Sequence, residues 1–77
     1  MSQEILTMFG CRLRQLRASR GMSQEELGAL AGLDRTYISG VERGLRNLSL
    51  INLYKIAQAL EIPADQLLVT DGAVRNE

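Results

Sequence analysis

Three polar residues share one face of a predicted helix, where their side chains could form hydrogen bonds to the edges of DNA bases. They are Arg35, Thr36 and Ser39, and the apolar residues Ile38 and Val41 lie on the opposite face. An arginine can bind a guanine edge through two hydrogen bonds, and a threonine offers a methyl group to thymine and a hydroxyl to a base or phosphate. Serine is the weaker candidate. This face therefore predicts base-specific contacts with DNA.

Further polar side chains flank this face and are candidates for contacts with the sugar–phosphate backbone. Gln24 lies in the first turn of the preceding helix, where N-terminal backbone amides attract phosphate; the alternative is an ordinary polar first-turn residue. Tyr37 could touch sugar and phosphate or pack sideways within the protein. Arg43 follows one helical turn after Ser39 and adds a positive charge.

The residue inventory argues against catalysis and against metal or cofactor binding. The chain has no histidine, a single cysteine and no glycine-rich phosphate-binding loop. Its carboxylates have simpler roles as helix caps or surface charges. With Cys11 alone, an intrachain disulfide is impossible, and we expect a reduced thiol at the flank of a helix.

Two short helices joined by a tight turn position the candidate residues. Ser23 and Glu26 have the spacing of a capping box that begins the first of them. Gly32 is expected to end that helix in a left-handed conformation, and Asp34 caps the next helix. One apolar set follows at helical spacing: Leu27, Ala31, Leu33, Ile38 and Val41. The pattern is that of a helix-turn-helix, in which the second helix lies in the DNA major groove.

The rest of the chain predicts three more helices and an all-α fold. A first helix should run from about Ile5 to Arg20, with four apolar residues on one face: Leu6, Phe9, Leu13 and Leu16. Ser49 should cap a fourth helix whose inward face comprises Leu50, Leu53, Ile56, Ala57 and Leu60. Pro63 should open a short fifth helix. We expect residues 1–77 to form one compact five-helix domain with its core at about 5–69 and a flexible tail at 70–77.

The size and charge of the chain bear on its partners and location. A domain of 77 residues buries only about 60% of its unfolded surface, which favours a homo-oligomer. The net charge is zero, but residues 1–46 carry +2 and residues 47–77 carry −2, which would suit one basic face. The sequence has neither an 18-residue apolar run nor the apolar segment of a signal peptide, so we expect a cytoplasmic protein without a membrane partner.

Apolar residues near the C-terminus predict where two copies would meet. Ile51 and Tyr54 project from a different side of the fourth helix than its inward residues, and Leu67 and Leu68 follow in the fifth. Such a patch is large for a small monomer and typically marks an interface. Alternatively, the two leucines cap the core of the monomer.

Residues 8–68 resemble the lambda-repressor/Cro-like (Xre-type) helix-turn-helix family. The segment LDRTYISGVERGLRNLSL, Leu33 to Leu50, is similar to the controller proteins of restriction–modification systems. The resemblance implies a homodimer that binds double-stranded operator DNA upstream of its own gene and the endonuclease gene, activating transcription first and repressing it at higher occupancy. It leaves open a second dimer on the operator and a contact with RNA polymerase.

The resemblance also assigns roles to individual residues. Arg46 and Asn47 match a loop that contacts the DNA backbone in relatives, although Arg46 could simply be a solvated charge. Arg17 and Glu42 match a partly buried ion pair, which implies a structural role first and an influence on DNA orientation second. Gly28 stands where many relatives have alanine, and Leu48 where many have proline; neither departure threatens the fold.

Two alternatives to a controller protein remain open at the level of sequence. One is an Xre-type phage or chromosomal repressor, and the other is an antitoxin-like module that uses the same fold for protein contacts. An interaction module would not need the polar and basic groups of Arg35, Thr36, Arg46 and Asn47 on one face. That face favours DNA binding.

Overall fold

The computed structural model describes residues 2–68, which fold into four α-helices and one 3₁₀ helix without any strand. The elements, in chain order, are α1 (Ser2–Ser19), α2 (Gln24–Ala31), α3 (Arg35–Glu42), α4 (Leu50–Leu60) and a 3₁₀ helix (Ala64–Leu68). The predicted all-α fold is confirmed within this range, with a 3₁₀ helix in place of the fifth α-helix. The expected tail at residues 70–77 lies outside the described residues.

The predicted caps of the two central helices are all present. The Ser23 hydroxyl accepts a hydrogen bond from the Glu26 amide at 3.0 Å, and the Glu26 carboxylate accepts one from the Ser23 amide at 2.8 Å. Gly32 ends α2 in the left-handed region at φ 72°. The Asp34 carboxylate accepts the Thr36 amide at 3.1 Å and begins α3. Local chemistry therefore fixes the turn between α2 and α3.

The first helix differs from the sequence expectation at its start, whereas the fourth begins as predicted. The α1 helix begins at Ser2 instead of about Ile5, and its first turn is tied down because the Gln3 side chain donates to the Gly44 carbonyl at 2.9 Å. Ser49 caps α4 as predicted, accepting the Asn52 amide at 3.1 Å. Glu61 ends α4 with a left-handed φ of 59°, which is unusual for a residue other than glycine.

One apolar core collects side chains from every element. Its buried members are Leu13, Leu27, Ala31, Ile38, Val41, Leu53, Ile56, Ala57, Leu60 and Leu67. The assignment of Leu50 to the inward face of α4 is wrong, because its side chain is 69% exposed. Leu50 lies in the first turn of α4, beyond the edge of the core, where it lines a surface groove with Ile5 and Leu68.

The structure also separates the two leucines of the 3₁₀ helix. The assignment of Leu67 to an exposed interface is wrong: its side chain is fully buried in the monomer core, as the alternative held. Leu68 is 59% exposed and remains available for an interface. A 3₁₀ helix has about three residues per turn, so neighbouring leucines point in clearly different directions.

A polar and small-residue stripe of α1 packs against the end of α3. A Cβ atom on Gly10 would lie only 2.5 Å from the Glu42 carbonyl oxygen and 2.6 Å from that of Val41. One turn earlier, Thr7 lies beside Gly44, close to where a Cβ atom on that glycine would be. This close approach packs α1 against the C-terminal end of α3, and the sequence does not predict it.

Candidate nucleic-acid interface

The outward face of α3 carries the side chains predicted to read DNA bases. Arg35 and Thr36 are exposed and Ser39 is partly exposed, whereas Ile38 and Val41 are buried on the other side of the helix. The predicted division of α3 into a buried and an exposed face is therefore confirmed.

The N-terminal cap of α3 restricts what Thr36 can offer to DNA. Both the backbone amide and the hydroxyl of Thr36 donate to Oδ2 of Asp34. The hydroxyl hydrogen bond, followed by the amide hydrogen bond, lowers the pKa of the Asp34 carboxyl, so the cap is ionised at neutral pH. Because its hydroxyl proton is engaged, the Thr36 side chain can offer a further partner only its methyl group and the lone pairs of its hydroxyl oxygen.

Tyr37 is packed sideways, as one of its two sequence interpretations held. Its hydroxyl accepts a hydrogen bond from Nδ2 of Asn52 at 3.1 Å, and its side chain is half-buried. The Arg46 guanidinium lies over the ring, with Cζ 5.2 Å from the ring centroid, a distance typical of a cation–π contact. In this hydrogen bond the hydroxyl is the acceptor, so its own proton can be donated to another group.

The loop after α3 folds back along that helix. Gly44 has a left-handed φ of 74°, its amide donates to the Val41 carbonyl at 3.0 Å, and the Leu45 amide donates to the Gly40 carbonyl at 2.9 Å. This pair of hydrogen bonds is the Schellman motif, which reverses the chain at a helix end. The reversal brings Arg46 back beside α3, and both Arg46 and Asn47 are exposed.

Glu42 is the centre of a buried polar network at the end of α3. Its carboxylate accepts Nε of Arg17 at 2.6 Å and Nη2 of Arg17 at 3.0 Å, and the Glu42 side chain is only 1% exposed. The Arg17 guanidinium also donates to the Met22 carbonyl at 2.7 Å. The predicted pair is therefore present, and its hydrogen bond to Glu42 raises the pKa of Arg17.

Gln24 belongs to the same network, which the sequence did not reveal. Its amide nitrogen donates to Oε1 of Glu42 at 3.0 Å. The first turn of α2 is thereby joined to the last turn of α3 and, through Arg17, to α1. A hydrogen bond between residues 18 positions apart has no local sequence signal, because the two side chains meet only when the helices pack together.

The arginines of α1 outside this network have individual surroundings. Arg12 donates through Nε to the Gln66 carbonyl at 2.9 Å and through Nη2 to the Gln66 side chain at 3.2 Å, so it ties α1 to the 3₁₀ helix. Arg20 lies 3.9 Å from the exposed Glu61 carboxylate. Arg14 is exposed to solvent.

Residues 2–68 contain no cluster of three or more side chains suited to hold a metal ion, and Cys11 is an exposed free thiol. Among the helices of this range, none combines the length and the apolar character needed to cross a membrane. The polar groups that the fold gathers are instead those around α3 and its flanking loop.

Comparison with known proteins places these features among transcription regulators. The helix-turn-helix family matches residues 13–67. The control protein C.BamHI of Bacillus amyloliquefaciens is 48% identical over 69 residues, covering 88% of this chain and 85% of that protein. The control protein C.MunI of a Mycoplasma species is 45% identical over 65 residues, covering 83% and 88%. The restriction–modification controller protein C.AhdI from Aeromonas hydrophila has a crystal structure with a TM-score of 0.80 and 56% identity, covering 80% of this chain and 94% of that one.

Proposed function

The chain belongs to the helix-turn-helix family of transcription regulators, close to controller proteins and not to enzymes, and from this premise we propose that it is itself the controller protein of a restriction–modification system. It binds operator DNA as a homodimer and regulates its own gene and the endonuclease gene. The observation that carries the proposal is the exposed face of α3, which presents Arg35, Thr36 and Ser39 beside a basic loop.

In this proposal, the base contacts come from the first turns of α3. Arg35 binds a guanine edge, because its guanidinium is exposed at the N-terminus of the helix and can form two parallel hydrogen bonds. Thr36 contacts a thymine methyl group, since its hydroxyl is engaged by Asp34. Ser39, one turn on, adds a weaker contact.

Contacts with the sugar–phosphate backbone of DNA surround this face and hold α3 in register on the duplex. They are proposed for Gln24, Tyr37, Arg43, Arg46 and Asn47. Gln24 has a second amide proton to offer a phosphate while the first is donated to Glu42. The exposed guanidinium groups of Arg43 and Arg46 supply positive charge on the C-terminal side of α3.

We expect Arg35→Ala and Arg46→Ala to weaken DNA binding in two different ways. Arg35→Ala should relax the preference at one operator position, with a loss of about 1–3 kcal/mol of discrimination. Arg46→Ala should weaken binding to all sequences alike and reduce the slope of log affinity against log salt by about one. Binding to a set of single-base operator variants, titrated at several salt concentrations, measures both effects.

The matched control is Arg14→Ala, which removes an exposed arginine from α1 without touching α3 or its loop. Its effect on discrimination should be negligible. Equal losses on every sequence for both Arg35→Ala and Arg46→Ala would contradict the division between base and backbone contacts.

The homodimer is proposed to form through exposed apolar side chains of α4 and the 3₁₀ helix. Ile51 is 70% exposed, Tyr54 58% and Leu68 59%. Leu68 also lines a groove with the exposed side chains of Leu50 and Ile5. A two-fold interface uses one such patch on both subunits. It would place two recognition helices about 34 Å apart, the spacing of successive major grooves on one face of DNA.

We expect Ile51→Asp and Leu68→Asp to give folded monomers, because each inserts a charge into the proposed interface and leaves the monomer core intact. Sedimentation across a dilution series should show the wild type as a dimer at roughly tens of micromolar. The control is Leu30→Asp, an equally exposed leucine on α2 that is 63% exposed. A wild type that is monomeric at these concentrations would contradict the proposed homodimer. Folded variants that stay dimeric would show that the interface lies elsewhere.

A gel shift with the DNA directly upstream of its own gene tests the function as a whole. The wild type should shift this duplex at concentrations that leave an unrelated duplex free. A footprint on the same DNA would count the half-sites and so tell one dimer from two. Failure to prefer its upstream DNA over unrelated DNA would favour the protein-interaction module instead.

A further inference from the structure

The absence of a side chain at Gly40 makes room for Arg46 against the recognition helix. A Cβ atom built on Gly40 would lie 2.6 Å from Cγ of Arg46, 3.6 Å from its Cδ and 3.7 Å from its Nε. The aliphatic stem of Arg46 therefore occupies the place where any other residue would carry its first side-chain carbon. A contact of 2.6 Å is impossible for two carbon atoms, so a larger residue at position 40 would displace the stem.

The path of the loop leads Arg46 to this place. The Schellman hydrogen bonds at Gly44 reverse the chain after α3, and the Leu45 amide is fixed to the Gly40 carbonyl. Arg46 is the next residue, so its side chain starts directly beside Gly40. Gln3 in turn donates to the Gly44 carbonyl, which anchors the reversal to α1.

The far end of Arg46 is held as well. Its guanidinium lies over the Tyr37 ring, and Asn52 from α4 donates to the Tyr37 hydroxyl. Gly40 and Tyr37 are three residues apart in α3 and thus neighbours on its surface. Together they form a seat for Arg46: Gly40 receives the stem and Tyr37 lies under the charged head.

We propose that Gly40 is a positioning residue for DNA binding, which holds Arg46 beside the base-reading face of α3 before DNA arrives. The inference rests on the proposed function, because it assumes that Arg46 contacts DNA. A long arginine side chain loses considerable rotamer freedom when it is immobilised. If Gly40 lets the protein fix Arg46 in advance, that entropy is not lost on binding, and affinity rises accordingly.

The test is a double-mutant cycle on Gly40→Ala and Arg46→Ala, measured by titration of the upstream duplex. Alanine favours a helix more than glycine does, so Gly40→Ala should fold with an unchanged or higher melting temperature. We expect Arg46→Ala to reduce affinity by about tenfold, the size of one lost charge-assisted hydrogen bond. Gly40→Ala should cause most of that loss, and the double variant should bind no worse than Arg46→Ala.

The matched control is the cycle of Gly40→Ala with Arg43→Ala, in which the losses should add, since Gly40 makes room for Arg46 and not for Arg43. The inference would be overturned if Gly40→Ala bound DNA as tightly as the wild type. It would also be overturned if the affinity losses of Gly40→Ala and Arg46→Ala added in the double variant. If the wild type prefers no duplex, the proposed function itself fails.

A second measurement tests the seat without DNA. Nuclear Overhauser contacts between Arg46 and Gly40 or Tyr37 are expected in the free wild-type protein and should be lost in Gly40→Ala. Their absence in the wild type would also overturn the inference.

Discussion

Glu42→Ala is expected to lower the free energy of unfolding by about 3 kcal/mol, the lower end of the range for a broken buried pair, because it strands the largely buried positive charge of Arg17. Glu42 is 1% exposed and accepts two hydrogen bonds from Arg17 and one from Gln24. Without it, the Arg17 guanidinium would remain at a site that is only 15% exposed with no carboxylate beside it. For a domain of this size the melting temperature should fall by at least ~12 °C. Thermal unfolding followed by circular dichroism measures the change.

Arg17→Ala should have a similar effect, since it leaves the Glu42 carboxylate buried without its counter-charge. Arg20→Ala is the matched control on the same helix, because Arg20 approaches only an exposed carboxylate at 3.9 Å. Arg20→Ala should lower the free energy of unfolding by no more than about 1 kcal/mol, as for other surface ion pairs. Replacing Arg17 and Glu42 together should recover part of the loss, since neither charge is then stranded.

The double variant, in which both Arg17 and Glu42 are replaced by alanine, is the most direct test of this prediction. Strictly additive losses would mean that the two side chains do not act as one pair. Gln24 provides an independent check, because it should lose its anchoring in Glu42→Ala but keep it in Arg17→Ala. If Gln24 contacts phosphate as proposed, Glu42→Ala should weaken DNA binding beyond what its lower stability explains.

The parts of this fold that were predictable from sequence are those that depend on neighbours in the chain. The capping box of Ser23 and Glu26, the left-handed Gly32 and the Asp34 cap all join residues within a few positions of one another. Their chemistry can be read directly from residue type and spacing. The division of α3 into two faces follows in the same way from the helical period.

The errors concern side chains whose surroundings depend on packing. Leu50 and Leu53 share the helical period of an inward face, but only Leu53 is covered by the core, because the other elements do not extend over the first turn of α4. Leu67 and Leu68 are identical in type and adjacent in sequence, yet one is buried and the other exposed. Adjacent residues of an α-helix or a 3₁₀ helix point in different directions, and only the packing of the helix against the core decides which leucine is buried.

The contacts that support the candidate site were missed for a related reason. The apolar stripe of α1 was found by its periodicity, but a second stripe of polar and small residues meets the end of α3. It comprises Gln3, Thr7, Gly10 and Arg17. Helical periodicity is visible in a sequence through its apolar residues, and this stripe contains none of the large ones. Only the Arg17 pair was expected, through family resemblance, and its link to Gln24 was not.

Gly10→Ala is expected to destabilise the protein even though alanine favours a helix by up to about 1 kcal/mol. The new Cβ atom would lie 2.5 Å from the Glu42 carbonyl oxygen and 2.6 Å from that of Val41. Both are backbone atoms within the end of α3, so neither can rotate away, and α1 must move. Overpacking of this kind costs about 1–3 kcal/mol and occasionally more, and we expect the upper end because two rigid atoms are involved.

Urea unfolding of Gly10→Ala should therefore show a lower midpoint than the wild type at an unchanged slope. Cys11→Ala is the control, since it adds an alanine at the next, exposed position of α1. Gly10 precedes Arg17 by two helical turns on the same face, so a shift of α1 also strains the Arg17–Glu42 pair. Losses from Gly10→Ala and Glu42→Ala should consequently be less than additive. A Gly10→Ala protein as stable as Cys11→Ala would show instead that α1 can shift away from the end of α3 at little cost in stability.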